Sequence, residues 1–208
     1  MTDVLAVVAE QCVLPVVTVE SRETARQLGS ALAGAGARAV EITFRSEAAA
    51  DAIEALAGEG FVVGAGTVRS VKQVDVAIAA GASFVVSPGL DRVVVERCAA
   101  AGVPALPGIA TASELTEALS LGVSTVKLFP AEVVGGIDLI RALAAPFPEA
   151  RFVPTGGLNA GNARDYLALP QVVAIGGSWM VAPPLLTAGN WPEVERLTAE
   201  ALALGRTP

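Results

Sequence analysis

The chain has 208 residues and a formal net charge of -7 at pH 7, a length that suits one large domain or two small ones. With 53% hydrophobic and only 17% charged residues, the composition excludes a disordered chain, a coiled coil and a collagen-like rod. The acidic balance argues against a nucleic-acid partner, because binding to phosphate backbones requires a basic face. We therefore expect a small-molecule partner.

Short apolar, β-branched runs alternate along the chain with alanine-rich segments of helical period. The first dozen residues precede this alternation and are expected to form a short N-terminal helix over one end of the fold. Eight strands are predicted to begin near Val13, Ala39, Phe61, Phe84, Pro104, Thr125, Arg151 and Val172. Helix N-caps are predicted at Ser21, Ser46, Ser70, Asp91, Thr111 and Asn159, with a capping box from Thr111 to Glu114.

Eight near-equal strand and helix units predict an α/β fold, a (β/α)8 TIM barrel with a short N-terminal helix, in a single domain covering residues 1–208. The structural rival is a doubly wound open sheet. No GxGxxG motif opens a helix after the first strand, and the even spacing of the units favours closure. Reactive groups in such barrels lie at the carboxyl ends of the strands, so functional residues are expected there.

Several classes of chemistry are excluded by residue counts. The chain has no histidine, which removes Ser-His-Asp relays, Cys-His relays and HExxH zinc sites. Cys12 and Cys98 have no CxxC spacing, so we expect neither a zinc knuckle nor a disulfide, and a reducing cytoplasmic location. The N-terminus, with Asp3 and Glu10, does not resemble a secretory signal. The uncharged run at 166–192 is broken by Pro, Gly and polar residues, so no membrane span is expected.

Two ionisable side chains are predicted to point into the interior. Alternation along residues 39–43 sends Glu41 inward, and alternation along residues 125–129 does the same for Lys127. The second and sixth strands of an eight-stranded barrel face each other, so the two groups converge. An amine withdrawn from water loses its proton more readily and then attacks carbonyl carbons. A purely structural ion pair is the alternative that remains open at this stage.

Polar residues and paired glycines follow several predicted strands. Arg45 and Thr67 offer a guanidinium for a substrate carboxylate and a hydroxyl beside it, although each alone also suits an ordinary rim position. The seventh and eighth strands end in the sequences PTGG (154–157) and IGGS (175–178). Glycines let backbone N–H groups approach an anion closely, and this end of a barrel commonly binds phosphate. We therefore expect a phosphorylated ligand.

These segments resemble a known family. The sequences GARAVEITFR (36–45) and GVSTVKLFPA (122–131), with Gly135 four residues further on, are similar to the two signatures of the 2-keto-3-deoxy-6-phosphogluconate (KDPG) and 4-hydroxy-2-oxoglutarate (KHG) aldolases. The stretches GAGT (64–67), SPG (87–89), PGI (107–109), PTGG and IGGS follow in the order that the family has. The resemblance covers nearly the whole chain.

The resemblance implies a metal-independent class I aldolase, a lyase that needs no cofactor. It implies cleavage of KDPG to pyruvate and glyceraldehyde 3-phosphate in the Entner–Doudoroff pathway, with KHG as a further candidate substrate. By the same resemblance, Lys127 forms a Schiff base, Glu41 moves protons, Arg45 and Thr67 bind the pyruvate end, and Phe129 packs beside the imine. The resemblance also implies that Gly157, Gly177 and Ser178 hold the phosphate. Further substrate-binding candidates are Pro88, Thr155, Gly156 and Gly176.

The resemblance also bears on substrate choice and assembly. Thr155 occupies a position where the gluconate-specific branch of the family tends to have Thr and the galactonate-specific branch an aliphatic residue, which favours the gluconate epimer. The family is typically homotrimeric, so a cytoplasmic homotrimer is expected. Two alternatives are kept: a phosphosugar epimerase or synthase that uses Glu41 as base and Lys127 as an electrostatic aid, and a phosphosugar-binding protein without turnover.

Overall fold

The structure, a computed structural model, describes residues 4–206. Residues 1–3 and 207–208 lie outside the described part. Asp3 and the two ends of the predicted domain at 1–208 are therefore not described. The strands within the described part are β1 (Val13–Val17), β2 (Ala39–Thr43), β3 (Val62–Gly66), β4 (Phe84–Val86), β5 (Ala105–Leu106), β6 (Gly108–Ile109), β7 (Thr125–Leu128), β8 (Arg151–Phe152) and β9 (Ile175–Gly177). Seven of the eight predicted strand starts match to within one residue; the exception is Val172, since β9 begins at Ile175.

The helices alternate with the strands as the sequence predicts. They are α1 (Val4–Gln11), α2 (Arg22–Gly34), α3 (Ala49–Gly58), α4 (Val71–Ala79), α5 (Arg92–Ala100), α6 (Ala112–Ser120), α7 (Gly136–Ala144), α8 (Ala163–Leu167), α9 (Pro183–Thr187) and α10 (Trp191–Ala203), with 3-10 turns at Trp179–Val181 and Leu204–Arg206. None of the helices in residues 4–206 combines the length and the apolar character that crossing a membrane requires.

The prediction of a closed eight-stranded TIM barrel is wrong. The strand pairs form two parallel sheets: six strands in the order β5-β4-β3-β2-β1-β9, and three strands in the order β6-β7-β8. The fifth predicted strand is split at Pro107, so β5 pairs with β4 whereas β6 pairs with β7. Between β8 and β9 only the isolated bridges Phe152–Val172 and Thr155–Gly176 occur. Proline has no N–H to donate to a ladder, and a two-residue β8 is too short to extend one.

The N-terminal helix α1 closes the end at which the strands begin, as predicted. Val7 and Val8 pack in one buried cluster with Leu14 of β1, Ala39 of β2 and other strand residues of the six-stranded sheet, together with Val153 directly after β8. The side chain of Gln11 is buried and bonds to both strands: its Nε2 donates to the carbonyls of Val13 and Ala39 at 2.9 Å. Its Oε1 accepts from the backbone N–H of Ala39 at 2.8 Å. The buried amide is therefore fully compensated.

Four of the six predicted helix caps are confirmed. Ser21, Ser70, Asp91 and Thr111 each accept a hydrogen bond from a first-turn N–H. In the predicted capping box, the Glu114 carboxylate accepts from the N–H of Ala110 and from the Thr111 hydroxyl, both at 2.8 Å. The caps at Ser46 and Asn159 are wrong, since α3 and α8 start later, after Ala48 and Asn162. Ser46 donates instead to the Val19 carbonyl, which connects the β2–α3 loop to the loop that follows β1.

Candidate active site

A buried pair of opposite charges lies between the two sheets. Lys127 Nζ on β7 is 3.1 Å from Glu41 Oε1 and 3.4 Å from Glu41 Oε2 on β2. Glu41 is 1% exposed and Lys127 is 6% exposed, so this hydrogen-bonded pair is nearly withdrawn from water. The two inward orientations predicted from alternation are confirmed.

Local sequence explains why the carboxylate reaches the interior. On β2, Val40 and Ile42 are fully buried in the cluster that packs against the helices, which leaves the alternate positions for the inside. On the neighbouring strand, Gly66 lies directly beside Glu41: a Cβ there would be 2.7 Å from Glu41 Cγ and 2.8 Å from Cδ. The absence of a side chain at Gly66 therefore creates the space that Glu41 occupies.

Four further predicted residues surround this pair. Phe129 places its ring centroid 5.4 Å from Lys127 Nζ, within cation–π range. Thr67 follows β3 with φ +58, a costly conformation for a β-branched residue, and such strain is concentrated at functional sites. Arg45 is exposed just beyond β2, and no carboxylate of residues 4–206 forms an ion pair with it. Pro88 is the fourth of these residues. All of these residues, with Glu41 and Lys127, line an inner cavity of about 40 Å³.

The loop that carries Pro88 approaches the β6 strand because of another glycine. A Cβ on Gly108 would lie 2.8 Å from the backbone nitrogen of Gly89 and would collide with the Pro88 carbonyl. Ser87 fixes the same loop, since its hydroxyl donates to the Gly89 carbonyl at 2.8 Å. Contacts within the described residues thus hold the SPG turn close to the inner cavity.

The two predicted glycine pairs form the wall of a second, larger cavity of about 260 Å³. Gly156 and Gly157 have φ of +99 and +83, a backbone conformation that favours glycine. Within residues 4–206, the backbone N–H groups of Gly156, Gly157 and Ser178 donate to no other protein group. Three unused amide donors around one cavity provide the polar lining that an anion requires.

The two glycine pairs, Gly156–Gly157 and Gly176–Gly177, are called the glycine cradle. A polar contact behind Gly157 fixes the shape of this cradle. The Tyr166 hydroxyl donates to the Glu132 carboxylate, and the Glu132 side chain packs on Gly157, where a Cβ would lie 2.5 Å from Glu132 Cγ. The Glu132 N–H also donates to the Gly156 carbonyl at 3.1 Å. Burial first, and the Glu132 carboxylate second, raise the pKa of the Tyr166 hydroxyl, so Tyr166 acts only as a donor here. Neither residue was among the sequence-predicted site residues.

The two cavities adjoin, because five residues line both: Val16, Thr43, Arg45, Phe129 and Thr155. Every sequence-predicted site residue lines at least one of the two. The residues that the prediction missed include Thr18 and Thr43, whose hydroxyl oxygens are 2.7 Å apart. The rule that selected Arg45, a polar side chain at the carboxyl end of a strand, would also have found Thr18, which directly follows β1.

Comparisons with known proteins bear on what this arrangement does. The family described as "Aldolase: KDPG and KHG aldolase" matches residues 4–197. The chain belongs to the KDPG and KHG aldolase family. Within this family, the 2-dehydro-3-deoxy-phosphogluconate aldolase of Treponema pallidum is 48% identical over 194 residues, which is 92% of each chain.

Two solved KDPG aldolases have the same fold. The enzyme from Legionella pneumophila, with pyruvate captured as a covalent carbinolamine, superposes with a TM-score of 0.92 at 38% identity, covering 95% of this chain and 97% of that one. The enzyme from Zymomonas mobilis, with 3-phosphoglycerate, superposes with a TM-score of 0.90 at 35% identity, covering 100% of this chain and 98% of that one. The family and the lyase class predicted from the two signatures are therefore confirmed.

Proposed function

We propose that this family member is a class I aldolase that cleaves KDPG to pyruvate and glyceraldehyde 3-phosphate through a Schiff base on Lys127. The observation that carries the proposal is the buried Lys127–Glu41 contact of 3.1 Å in the small cavity that adjoins a larger one lined by unused backbone amide donors. A buried amine held against a carboxylate can pass its proton to that carboxylate and become a nucleophile. The pyruvate carbinolamine of the Legionella relative supports the same chemistry.

In the proposed reaction, the neutral Lys127 amine attacks the C2 carbonyl. Glu41, which has accepted the lysine proton, donates it to the carbinolamine hydroxyl, so that water leaves, an iminium ion forms and Glu41 is a carboxylate again. Glu41 takes the proton of the C4 hydroxyl as the C3–C4 bond breaks. The bond's electron pair moves into the C2 iminium, which becomes an enamine, and C4 leaves as the aldehyde carbon of glyceraldehyde 3-phosphate. Glu41 then donates the proton taken from the C4 hydroxyl to C3, and hydrolysis of the resulting iminium by one water releases pyruvate and the protonated Lys127 amine.

The remaining predicted residues are proposed to hold the two charged ends of the substrate. Arg45 and Thr67 bind the carboxylate end, Pro88 packs beside it, and the Phe129 ring packs beside the imine. The phosphate is bound in the larger cavity by the N–H groups of Gly156, Gly157 and Ser178, with Gly176 and Gly177 shaping the wall. Charge-assisted bonds from an arginine and from backbone amides are the donors that such groups favour. Thr155, which packs on Gly176, favours the gluconate epimer, and KHG is proposed as a second substrate.

Four broader features are part of the proposal and rest on the family resemblance. Residues 1–208 form one domain, the protein assembles as a homotrimer, and it acts in the cytoplasm in the Entner–Doudoroff pathway. Light scattering of the purified protein tests the trimer directly. A molar mass of one subunit would contradict it.

Reductive trapping tests the Schiff base. The chain has only two lysines, so borohydride added with pyruvate is expected to add one reduced pyruvate at Lys127, located by peptide mass spectrometry. Lys72 is exposed on α4 and supplies the matched control: Lys72→Ala should be trapped like the wild type, whereas Lys127→Ala should not. Trapping in Lys127→Ala, or none in the folded wild type, would contradict the proposal.

A coupled assay of pyruvate release separates the alternatives. The aldolase releases pyruvate from KDPG and loses that activity with Lys127→Ala, whereas an epimerase or synthase gives no trapped adduct. A binding protein without turnover would be stabilised thermally by the substrate but release no pyruvate. Glu41→Gln is expected to lower kcat by about 100-fold or more, because positioned acid–base groups contribute about 10² to 10⁴ to the rate.

A further inference from the structure

A pair of threonine hydroxyls lies at the junction of the two cavities. The oxygens of Thr18 and Thr43 are 2.7 Å apart, a close hydrogen bond. Their strands explain the pairing: β1 and β2 are parallel with Val17 opposite Ile42, so the next residues, Thr18 and Thr43, lie opposite each other. Thr43 is buried and lines both cavities, whereas Thr18 is half-buried and lines only the larger one.

The pair has unused hydrogen-bonding capacity. Two hydroxyls carry two hydrogens and four lone pairs, and only one hydrogen lies between the two oxygens. Within residues 4–206, neither hydroxyl has another hydrogen-bond partner. A donor and several acceptor sites are therefore available at the cavity wall, between Lys127 on one side and the glycine cradle on the other.

We propose that the Thr18–Thr43 pair binds the C5 hydroxyl of the substrate, which becomes the C2 hydroxyl of glyceraldehyde 3-phosphate; this assignment rests on the proposed function. When C2 is bonded to Lys127 and the phosphate lies in the glycine cradle, C4 and C5 span the junction of the cavities. C4 must lie beside Glu41, because Glu41 takes the proton of the C4 hydroxyl. The hydroxyl nearer the glycine cradle is therefore the one on C5. Thr18 contacts that hydroxyl directly, and Thr43 orients Thr18.

The proposal makes Thr18 a specificity residue for the aldehyde half of the reaction. An aldehyde that lacks the adjacent hydroxyl would leave the pair without its partner, whereas the phosphate and the reacting carbonyl would bind as before. A neutral hydrogen bond of this kind changes kcat/KM by about 3- to 10-fold. Thr18→Val removes the hydroxyl at nearly constant volume, whereas Thr18→Ser keeps a hydroxyl at this position.

A double-mutant cycle between protein and substrate tests the contact. The reaction is run toward aldol formation, with pyruvate and either glyceraldehyde 3-phosphate or 3-oxopropyl phosphate, which lacks the hydroxyl. The quantity compared is kcat/KM for glyceraldehyde 3-phosphate divided by kcat/KM for 3-oxopropyl phosphate. This ratio should be about 3- to 10-fold higher for the wild type and Thr18→Ser than for Thr18→Val. Because ratios are compared between enzymes, the intrinsic reactivities of the aldehydes cancel.

Two further variants keep the test decisive. Thr116→Val removes an exposed hydroxyl on α6 that bonds only locally, to the Ala112 carbonyl, and should leave the wild-type ratio intact. Thr18→Ala serves as a second hydroxyl deletion if Thr18→Val does not fold. A ratio that is the same in the wild type and in the folded hydroxyl-deletion variant would overturn the proposal. Absence of any aldol formation or Schiff base in the wild type would instead overturn the proposed function.

Discussion

Gly66→Ala tests whether the position of the Glu41 carboxylate controls turnover. The new Cβ would collide with Glu41 Oε1 and lie 2.7 Å from Glu41 Cγ, whereas ordinary contact begins at 3.4 Å, so the side chain must retreat by at least about 0.7 Å. The side chain is 2% exposed, which leaves little room for this movement. Gly66 does not have a positive φ, so an alanine there strains only the contact with Glu41 and not the backbone.

The expected effect follows from the Lys127–Glu41 distance. That distance is 3.1 Å, near the upper limit of a good hydrogen bond, and a retreat of this size removes the bond. A misplacement of about 1 Å in a catalytic group costs about 100-fold in rate, so we expect kcat to fall by about 10- to 100-fold. Overpacking of a buried site also costs about 1–3 kcal/mol of unfolding free energy.

Steady-state release of pyruvate from KDPG and thermal unfolding measure these two effects. Lys127 itself is unchanged, so pyruvate-dependent borohydride trapping should still occur in Gly66→Ala, but more slowly, because Glu41 no longer accepts the lysine proton directly. Gly58→Ala is the matched control, because a Cβ at Gly58, in helix α3, meets nothing within 4 Å. It should keep full activity and gain a few tenths of a kcal/mol to about 1 kcal/mol in stability. Wild-type kcat in a folded Gly66→Ala enzyme would refute the reasoning.

Three other perturbations probe the cradle, the core and a buried thiol. Gly157→Ala forces an alanine to φ +83 against the Glu132 side chain and should raise KM for phosphorylated substrates by about 10-fold or more, given a strain of about 1–3 kcal/mol; an unchanged KM would argue against the phosphate assignment. The Thr198 hydroxyl on α10 is buried with no hydrogen-bond partner in residues 4–206, so Thr198→Val should raise the unfolding free energy by about 1 kcal/mol, measured in urea. Burial raises the pKa of the Cys98 thiol to about 11, so little reactive thiolate exists at pH 8 and iodoacetamide should label Cys98 only after unfolding; rapid native labelling would contradict this.

The inward direction of the buried Glu41–Lys127 pair could be predicted because it depends on local alternation alone. Val40 and Ile42 fix the outer face of β2, and Val126 and Leu128 fix that of β7, so Glu41 and Lys127 have only the interior left. The caps at Ser21 and Thr111 were predictable for the same reason, since a cap depends on a few consecutive residues. The distance between Glu41 and Lys127 across the fold could not be predicted from the alternation.

Closure of the strands was not predictable from the spacing of the units. An even repeat of about 20 residues per unit predicts the order of strands and helices, but continuous pairing depends on single backbone groups. Pro107 divides one strand between two sheets, and only isolated bridges connect β8 with β9. The caps at Ser46 and Asn159 failed because α3 and α8 begin only after Ala48 and Asn162, neither of which makes a side-chain cap hydrogen bond.

The Thr18–Thr43 pair shows why polar residues at strand ends are difficult to assign from sequence. Threonine is common in strands, so neither residue stands out alone, and their proximity depends on the register of β1 against β2. A shift of that register by one residue would exchange the faces of a whole strand and direct the Thr18 side chain away from the cavity. The two sites that sequence did predict, the charged pair and the glycine cradle, are therefore connected by a contact that only the strand register determines.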